Sequence, residues 1–191
     1  AGPISADSGV LLIGATHSFD ETPSPEIIIV PGGMTSFEHA RDPKLLQWIR
    51  KAHETSKWTT SVCSGSVIMA AAGILHGEQA TSHWSVLSAL KPFGVTPVGD
   101  QRMVQQGKIA TAAGVSAGLD MALWLVGQID GERTARAIQL AIEYDPQPPY
   151  DSGHLSKASA GTKAAALTIL AQEFVRTGQL TTPIKLLWDR A

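Results

Sequence analysis

Trp58-Thr59-Thr60-Ser61-Val62-Cys63-Ser64-Gly65-Ser66-Val67-Ile68-Met69-Ala70-Ala71-Ala72-Gly73 changes character at its sixth residue. Residues 59–62 are a short β-type run, and the Ala-rich run after Cys63 is helical. Small residues, Ser61 and Gly65, stand two positions either side of the cysteine. This is the steric pattern of a nucleophile elbow, where a strand turns sharply into a helix and the backbone passes close to itself. Such a turn holds a thiol exposed at a helix N-terminus, where backbone N–H groups and the helix dipole favour the thiolate. A lone cysteine in an apolar stretch is otherwise a small buried hydrophobe, but a core cysteine has no need of flanking small residues. Cys63 is therefore the candidate nucleophile.

Working outward, residues 26–30 are β-branched and nearly all apolar, the composition of a buried strand in a parallel sheet. They run into Pro31-Gly32-Gly33, a hard stop that bares backbone N–H groups. Asp42 caps a helix with Pro43 at its first position, and Leu45, Leu46, Ile49 and Ala52 give that helix one apolar face. The order strand, helix, strand, helix predicts an α/β fold with a parallel sheet. Residues 10–13 add a strand upstream. Downstream, residues 79–82, 95–98, 102–105 and 108–111 read as short strands, the last two joined around Gln106-Gly107, and residues 84–90 as a short helix. Residues 114–128 are apolar nearly all round, which predicts a buried helix. Asp130 is placed to cap a further helix reaching about residue 143. The proline-rich run 145–150 is extended, residues 152–161 form a small-residue loop, and helices near 162–177 and 182–189 close the chain. No repeat and no second domain is visible; residues 1–191 read as one domain.

The 191 residues suffice for one sizeable core. A formal net charge of −2 without a basic patch argues against nucleic acid as a partner. A single cysteine excludes an intrachain disulfide and fits a reducing, cytoplasmic compartment. No run of 18 apolar residues is present, so no membrane span is expected. The six histidines show no zinc-motif spacing, so no metal is expected. Gly114-Val115-Ser116-Ala117-Gly118 lacks the dinucleotide pattern, so no cofactor is expected there, and its glycines read as sites of close helix packing.

Two features are placed to build a site with the thiol. Gly32-Gly33 follows the carboxyl end of its strand, as Cys63 follows the end of another, and in open α/β sheets those ends form the ligand crevice. The Gly33 and Ser64 N–H groups would then serve as an oxyanion hole beside the sulfur. His83, in Ala80-Thr81-Ser82-His83-Trp84, is placed to raise the thiolate fraction or to shuttle protons.

The set Val30-Pro31-Gly32-Gly33, Ser61-Val62-Cys63-Ser64-Gly65, Ala80-Thr81-Ser82-His83-Trp84 and Gly114-Val115-Ser116-Ala117-Gly118 resembles the ThiJ/PfpI superfamily. The run Leu140-Ala141-Ile142-Glu143-Tyr144-Asp145-Pro146-Gln147-Pro148-Pro149-Tyr150 is similar to its isonitrile hydratase branch. The resemblance implies a flavodoxin-like three-layer sandwich with a mostly parallel sheet, of the class I glutamine amidotransferase-like kind. It also implies a homodimer acting on a small molecule without a cofactor. Cys63 would be the nucleophile, Gly33 and Ser64 the backbone donors, and Gly32, His83 and Ser116 supporting residues. Two departures stand out. Ser64 replaces the threonine common after the cysteine, which keeps the hydroxyl. The family's further strand and helix, which carry the acidic partner of the nucleophile, lie upstream of the segment matching Gly2-Pro3, so the chain is expected to be an N-terminally truncated fragment. The implied activity is hydration of an isonitrile to an N-substituted formamide. The alternatives are glyoxalase-like or amidase-like thiol chemistry, the sensor half of an AraC-type regulator, or a redox-responsive chaperone.

Overall fold

The computed structural model describes residues 2–5 and 10–178. Strands β1 (Pro3–Ser5) and β2 (Leu12–Gly14) form an antiparallel pair. The main sheet contains β3 (Ile27–Val30), β4 (Trp58–Val62), β7 (Met103–Gln106) and β8 (Ile109–Ala112) in the order β3-β4-β8-β7. β3, β4 and β8 run parallel, with Val30 opposite Ser61 and Ser61 opposite Thr111. β7 returns antiparallel to β8 through a turn in which Gly107 takes a φ of 55°. β5 (Gln79–Ala80) and β6 (Thr96–Pro97) make a small parallel pair of their own.

Helices cover both faces of the main sheet. α1 (Ser36–His39), α2 (Pro43–Thr55) and α3 (Gly65–Ala71) lie on one side. There Ile28, Val30, Ile49, Val67, Met69 and Leu75 share one buried cluster. Asp42 caps α2 as predicted, accepting from the Lys44 and Leu45 amides at 2.9 and 3.3 Å. Lys108, on the β7–β8 turn, donates to the last carbonyls of α2 at Glu54 (3.4 Å) and Ser56 (3.2 Å), and also to that of His53. α4 (Val115–Asp130) covers the opposite face, packing Ala117 and Met121 on Ala110 and Ala112. α5 (Glu132–Ala141) packs on α4, and α6 (Ala160–Arg176), capped by Ser159, closes the described chain. This is a mostly parallel α/β sandwich of three layers, the flavodoxin-like arrangement.

The structure differs from the sequence prediction at several elements. β3 is an edge strand among the described residues. It buries Ile28 and Val30, but Ile29 on the alternate face is 54% exposed, so the strand is not buried on both sides. α4 likewise buries one stripe (Ala117, Met121, Leu125) and leaves Val115 81% exposed, because the sheet covers only one of its faces. Asp130 is the last residue of α4 rather than a cap. Gly131 separates α4 from α5 at φ 87°, a conformation open chiefly to glycine. The helix expected at 84–90 is a 3-10 helix at Leu87–Phe93, with Pro92 inside it and Gly94 at φ 75° ending it. The helix expected at 182–189 lies outside the described residues. No helix among the described residues is long and apolar enough to cross a membrane.

Candidate active site

β4 carries its last residue into Cys63, which turns at φ 59° before Ser64 opens α3. Apart from Glu143, it is the only described non-glycine residue at positive φ. Left-handed backbone costs a residue with a Cβ about 1–2 kcal/mol. Hydrogen bonds hold it there: the Cys63 N–H donates to the Ala112 carbonyl (3.0 Å), and the Ser66 and Ser82 hydroxyls donate to the Cys63 carbonyl at 3.3 and 3.1 Å. Two glycines make room for the turn. A Cβ on Gly65 would lie 2.1 Å from the Val30 carbonyl oxygen, and one on Gly32 would lie 2.5 Å from the Ser64 nitrogen. The elbow read from the sequence is therefore present, and Gly32 serves it by close approach rather than as a simple turn residue.

Cys63 sits half-buried in the wall of a cavity of about 470 Å³. Gly32, Gly33, Ser64 and His83 line the same cavity, so the structure brings these predicted site residues together. Its apolar walls include Met34, Val86, Val115, Leu170 and Phe174. The last two sit four residues apart on α6, a spacing that puts both on one helix face. That spacing is visible in the sequence, but nothing there says which element the face covers. Ser116 is not among the lining residues. Its neighbour Val115 takes that place, while the Ser116 hydroxyl lies 3.4 Å from an Arg102 guanidinium nitrogen that pairs with Asp120. Of the two glycines flanking it, Gly118 packs closely, its missing Cβ lying 2.9 Å from Val62.

The electrostatics depart from the sequence expectation. Burial pushes the Cys63 thiol up, while the Ser64 N–H and hydroxyl pull it down; burial is the larger effect. Burial also holds His83 below the usual imidazole range, so the ring is neutral at pH 7. His83 Nδ1 lies 2.7 Å from Ser85 Oγ and 3.4 Å from the Ser85 nitrogen, so Ser85 orients the ring. A neutral imidazole does not stabilise a thiolate by charge; it is suited to moving a proton. The Gly33 N–H is engaged as well, donating to Ser36 Oγ at 2.9 Å and Ser64 Oγ at 3.1 Å. Among the described residues no group of three or more His, Cys, Asp or Glu is placed to hold a metal ion.

A sequence profile of the DJ-1/PfpI family matches residues 1–128. The isonitrile hydratase of Pseudomonas putida is 39% identical over 151 residues, which is 79% of this chain and 65% of that protein. The HTH-type transcriptional regulator CdhR of Pseudomonas aeruginosa is 28% identical over 76% of this chain and 41% of its own length. The chain thus spans less than two thirds of either relative. A crystal structure of a ThiJ/PfpI family protein from Pseudomonas syringae overlaps with a TM-score of 0.86 at 35% identity. It covers 97% of this chain and 74% of that one. Elbow, sheet order, profile and overlap lead to one assignment: this chain belongs to the DJ-1/PfpI family.

Proposed function

We propose that the protein hydrates an isonitrile to the N-substituted formamide, with Cys63 as nucleophile. The observation that carries the proposal is the strained cysteine, held at φ 59° in the wall of a mostly apolar cavity of about 470 Å³. The 39% identity to an isonitrile hydratase supports the choice of substrate. An isonitrile has a small electrophilic carbon and an organic substituent, and an apolar cavity suits that substituent. The sulfur bonds to the isonitrile carbon while the proton it gives up ends on the same carbon, forming a thioimidate. Water then adds to that carbon, the C–S bond breaks, the thiol regains a proton, and the formamide leaves. Ser64 N–H faces the sulfur as a backbone donor. His83, neutral and half-buried in the cavity wall, is the described group suited to carry the proton. We propose likewise that two copies pair, using apolar surface such as Leu119 and Leu140, which are 47% and 78% exposed.

The test is incubation of the full-length protein with an aryl isonitrile and detection of the formamide. Normal turnover by Cys63→Ala would sink the covalent route. Profiling against glyoxal and amide substrates separates the reaction from other thiol chemistry. A second reading, a ligand-sensing domain, is favoured by the match to a transcriptional regulator. Saturable binding of an isonitrile without product formation would select it.

A further inference from the structure

The cavity at Cys63 is larger than the reacting atoms require. An apolar cavity of about 150 Å³ is enough to hold benzene. This one is about 470 Å³, roughly three times that size. An isonitrile group is two atoms, so nearly all of the space falls to the substituent it carries.

The wall tells which substituents fit. Among the described residues no Asp, Glu, Lys or Arg lines the cavity. The two wall hydroxyls are engaged with protein groups: Ser64 Oγ lies 2.9 Å from Ser36 Oγ, and Ser85 Oγ lies 2.7 Å from His83 Nδ1. Met34, Val62, Val86, Val115, Leu170 and Phe174 supply apolar side chains. A carboxylate or ammonium brought here gives up water and meets no opposite charge, which is costly. An aromatic or alicyclic group loses no hydrogen bond and gains buried area. Leu170 and Phe174 share one face of α6 and are half-buried, whereas Leu167, Ile169 and Val175 of the same helix are exposed. Phe174 also packs against the main apolar cluster, which seats that face on the body of the protein.

We propose that the cavity selects a substrate whose substituent is uncharged, apolar and about the size of two fused rings, and that Leu170 and Phe174 are the residues that determine this specificity. The reacting group rests on the isonitrile reading; the substituent rests on the cavity alone. The first experiment therefore uses no isonitrile. Cys63, the only cysteine, is alkylated in the full-length protein with N-substituted maleimides at one pH. Each rate is divided by that of the same reagent with 2-mercaptoethanol. Every reagent meets the same thiolate fraction, so the ratios report the walls. N-(1-naphthyl)maleimide is expected to react about tenfold faster, relative to N-methylmaleimide, than it does with the free thiol. N-(2-carboxyethyl)maleimide is expected to fall about tenfold behind N-butylmaleimide. Leu170→Ala combined with Phe174→Ala should lower the naphthyl preference about tenfold. Leu170→Lys should raise the carboxyethyl reagent about tenfold relative to butyl, by supplying the missing charge. No naphthyl preference, no carboxyethyl disadvantage, or a naphthyl preference that survives the double substitution overturns the proposal. Should the double variant not fold, Leu170→Lys decides: an unaltered charge preference takes α6 out of the wall. The second experiment compares isonitriles by formamide release. 2-Naphthyl isonitrile is expected to exceed methyl isonitrile about a hundredfold in kcat/KM, and isocyanoacetate to fall about tenfold below propyl isonitrile. Equal kcat/KM across the series overturns the selection and leaves the reaction standing. No formamide from any isonitrile, with the maleimide preferences intact, sinks the reaction and leaves the selection standing.

Discussion

Replacing Gly65 by alanine tests the elbow at its tightest point. The new Cβ would lie 2.1 Å from the Val30 carbonyl oxygen, 2.9 Å from the Val30 carbonyl carbon and 3.0 Å from that of Pro31. Carbon and carbonyl oxygen approach to about 3.3 Å even in favourable contacts, so roughly 1 Å of separation has to open. The obstacle is backbone at the end of β3, fixed by its parallel ladder to β4, and it cannot rotate aside as a side chain would. Overpacking costs typically 1–3 kcal/mol, and a backbone-on-backbone contact this short belongs at the upper end, about 3 kcal/mol. For a domain of this size that lowers Tm by about 6–12 °C. Gly127, inside α4, is the control. Its Cβ would meet only Ala135 Cβ, at 3.8 Å, so alanine there gains about 1 kcal/mol of helix propensity. The two Gly→Ala changes should move the urea midpoint in opposite directions at unchanged m-value. Helix propensity alone would have both stabilise, since Gly65 also begins a helix. A Gly65→Ala protein within about 0.5 kcal/mol of the parent would refute the close approach drawn here.

Other perturbations read other parts of the structure. Burial holds His53 and His83 below the usual imidazole range, with Lys108 adding to the effect on His53. A depressed folded-state pKa contributes stability above the unfolded value of about 6.5 that is lost as pH falls through the folded value, so the urea midpoint should drop between pH 7 and 5. Combining His53→Gln with His83→Gln should shrink that drop, and an undiminished drop would assign it elsewhere. Asp42→Ala should cost about 1 kcal/mol in chemical denaturation, with Asp42→Asn retaining most of the stability, because the cap on the Lys44 and Leu45 amides is a side-chain acceptor. If the cavity takes the isonitrile substituent, Phe174→Ala should raise KM about tenfold for an aryl isonitrile and far less for methyl isonitrile. Equal effects on both substrates would remove Phe174 from the binding wall.

The elements around the elbow were legible because each carries a local signal. A β-branched run, a Pro-Gly-Gly stop, an Asp-Pro helix start and a cysteine between small residues depend on neighbours in sequence, and all four appear where expected. The boundary between α4 and α5 was misplaced because an aspartate before a glycine looks like a cap. The positive φ of Gly131 shows that the glycine makes the break. Burial was misjudged at β3 and α4 because hydrophobic composition does not say how many faces a sheet or helix has covered. The cavity walls from α6 were illegible for the same reason. Leu170 and Phe174 show a shared face but not its destination.

By itself, then, the sequence determined the α/β order, the elbow at Cys63 and the glycines that permit it, since steric limits on the backbone act over a few residues. The charge state of the site was decided by the tertiary structure. Distant segments bury the Cys63 sulfur and the His83 ring, and desolvation outweighs the donors that local sequence supplies. Ser36, 27 residues from Cys63 in the chain, meets the Gly33 and Ser64 groups beside the sulfur only because α1 folds against α3. Hydrogen-bond partners and dielectric surroundings are properties of position in space, and no spacing along the chain encodes them.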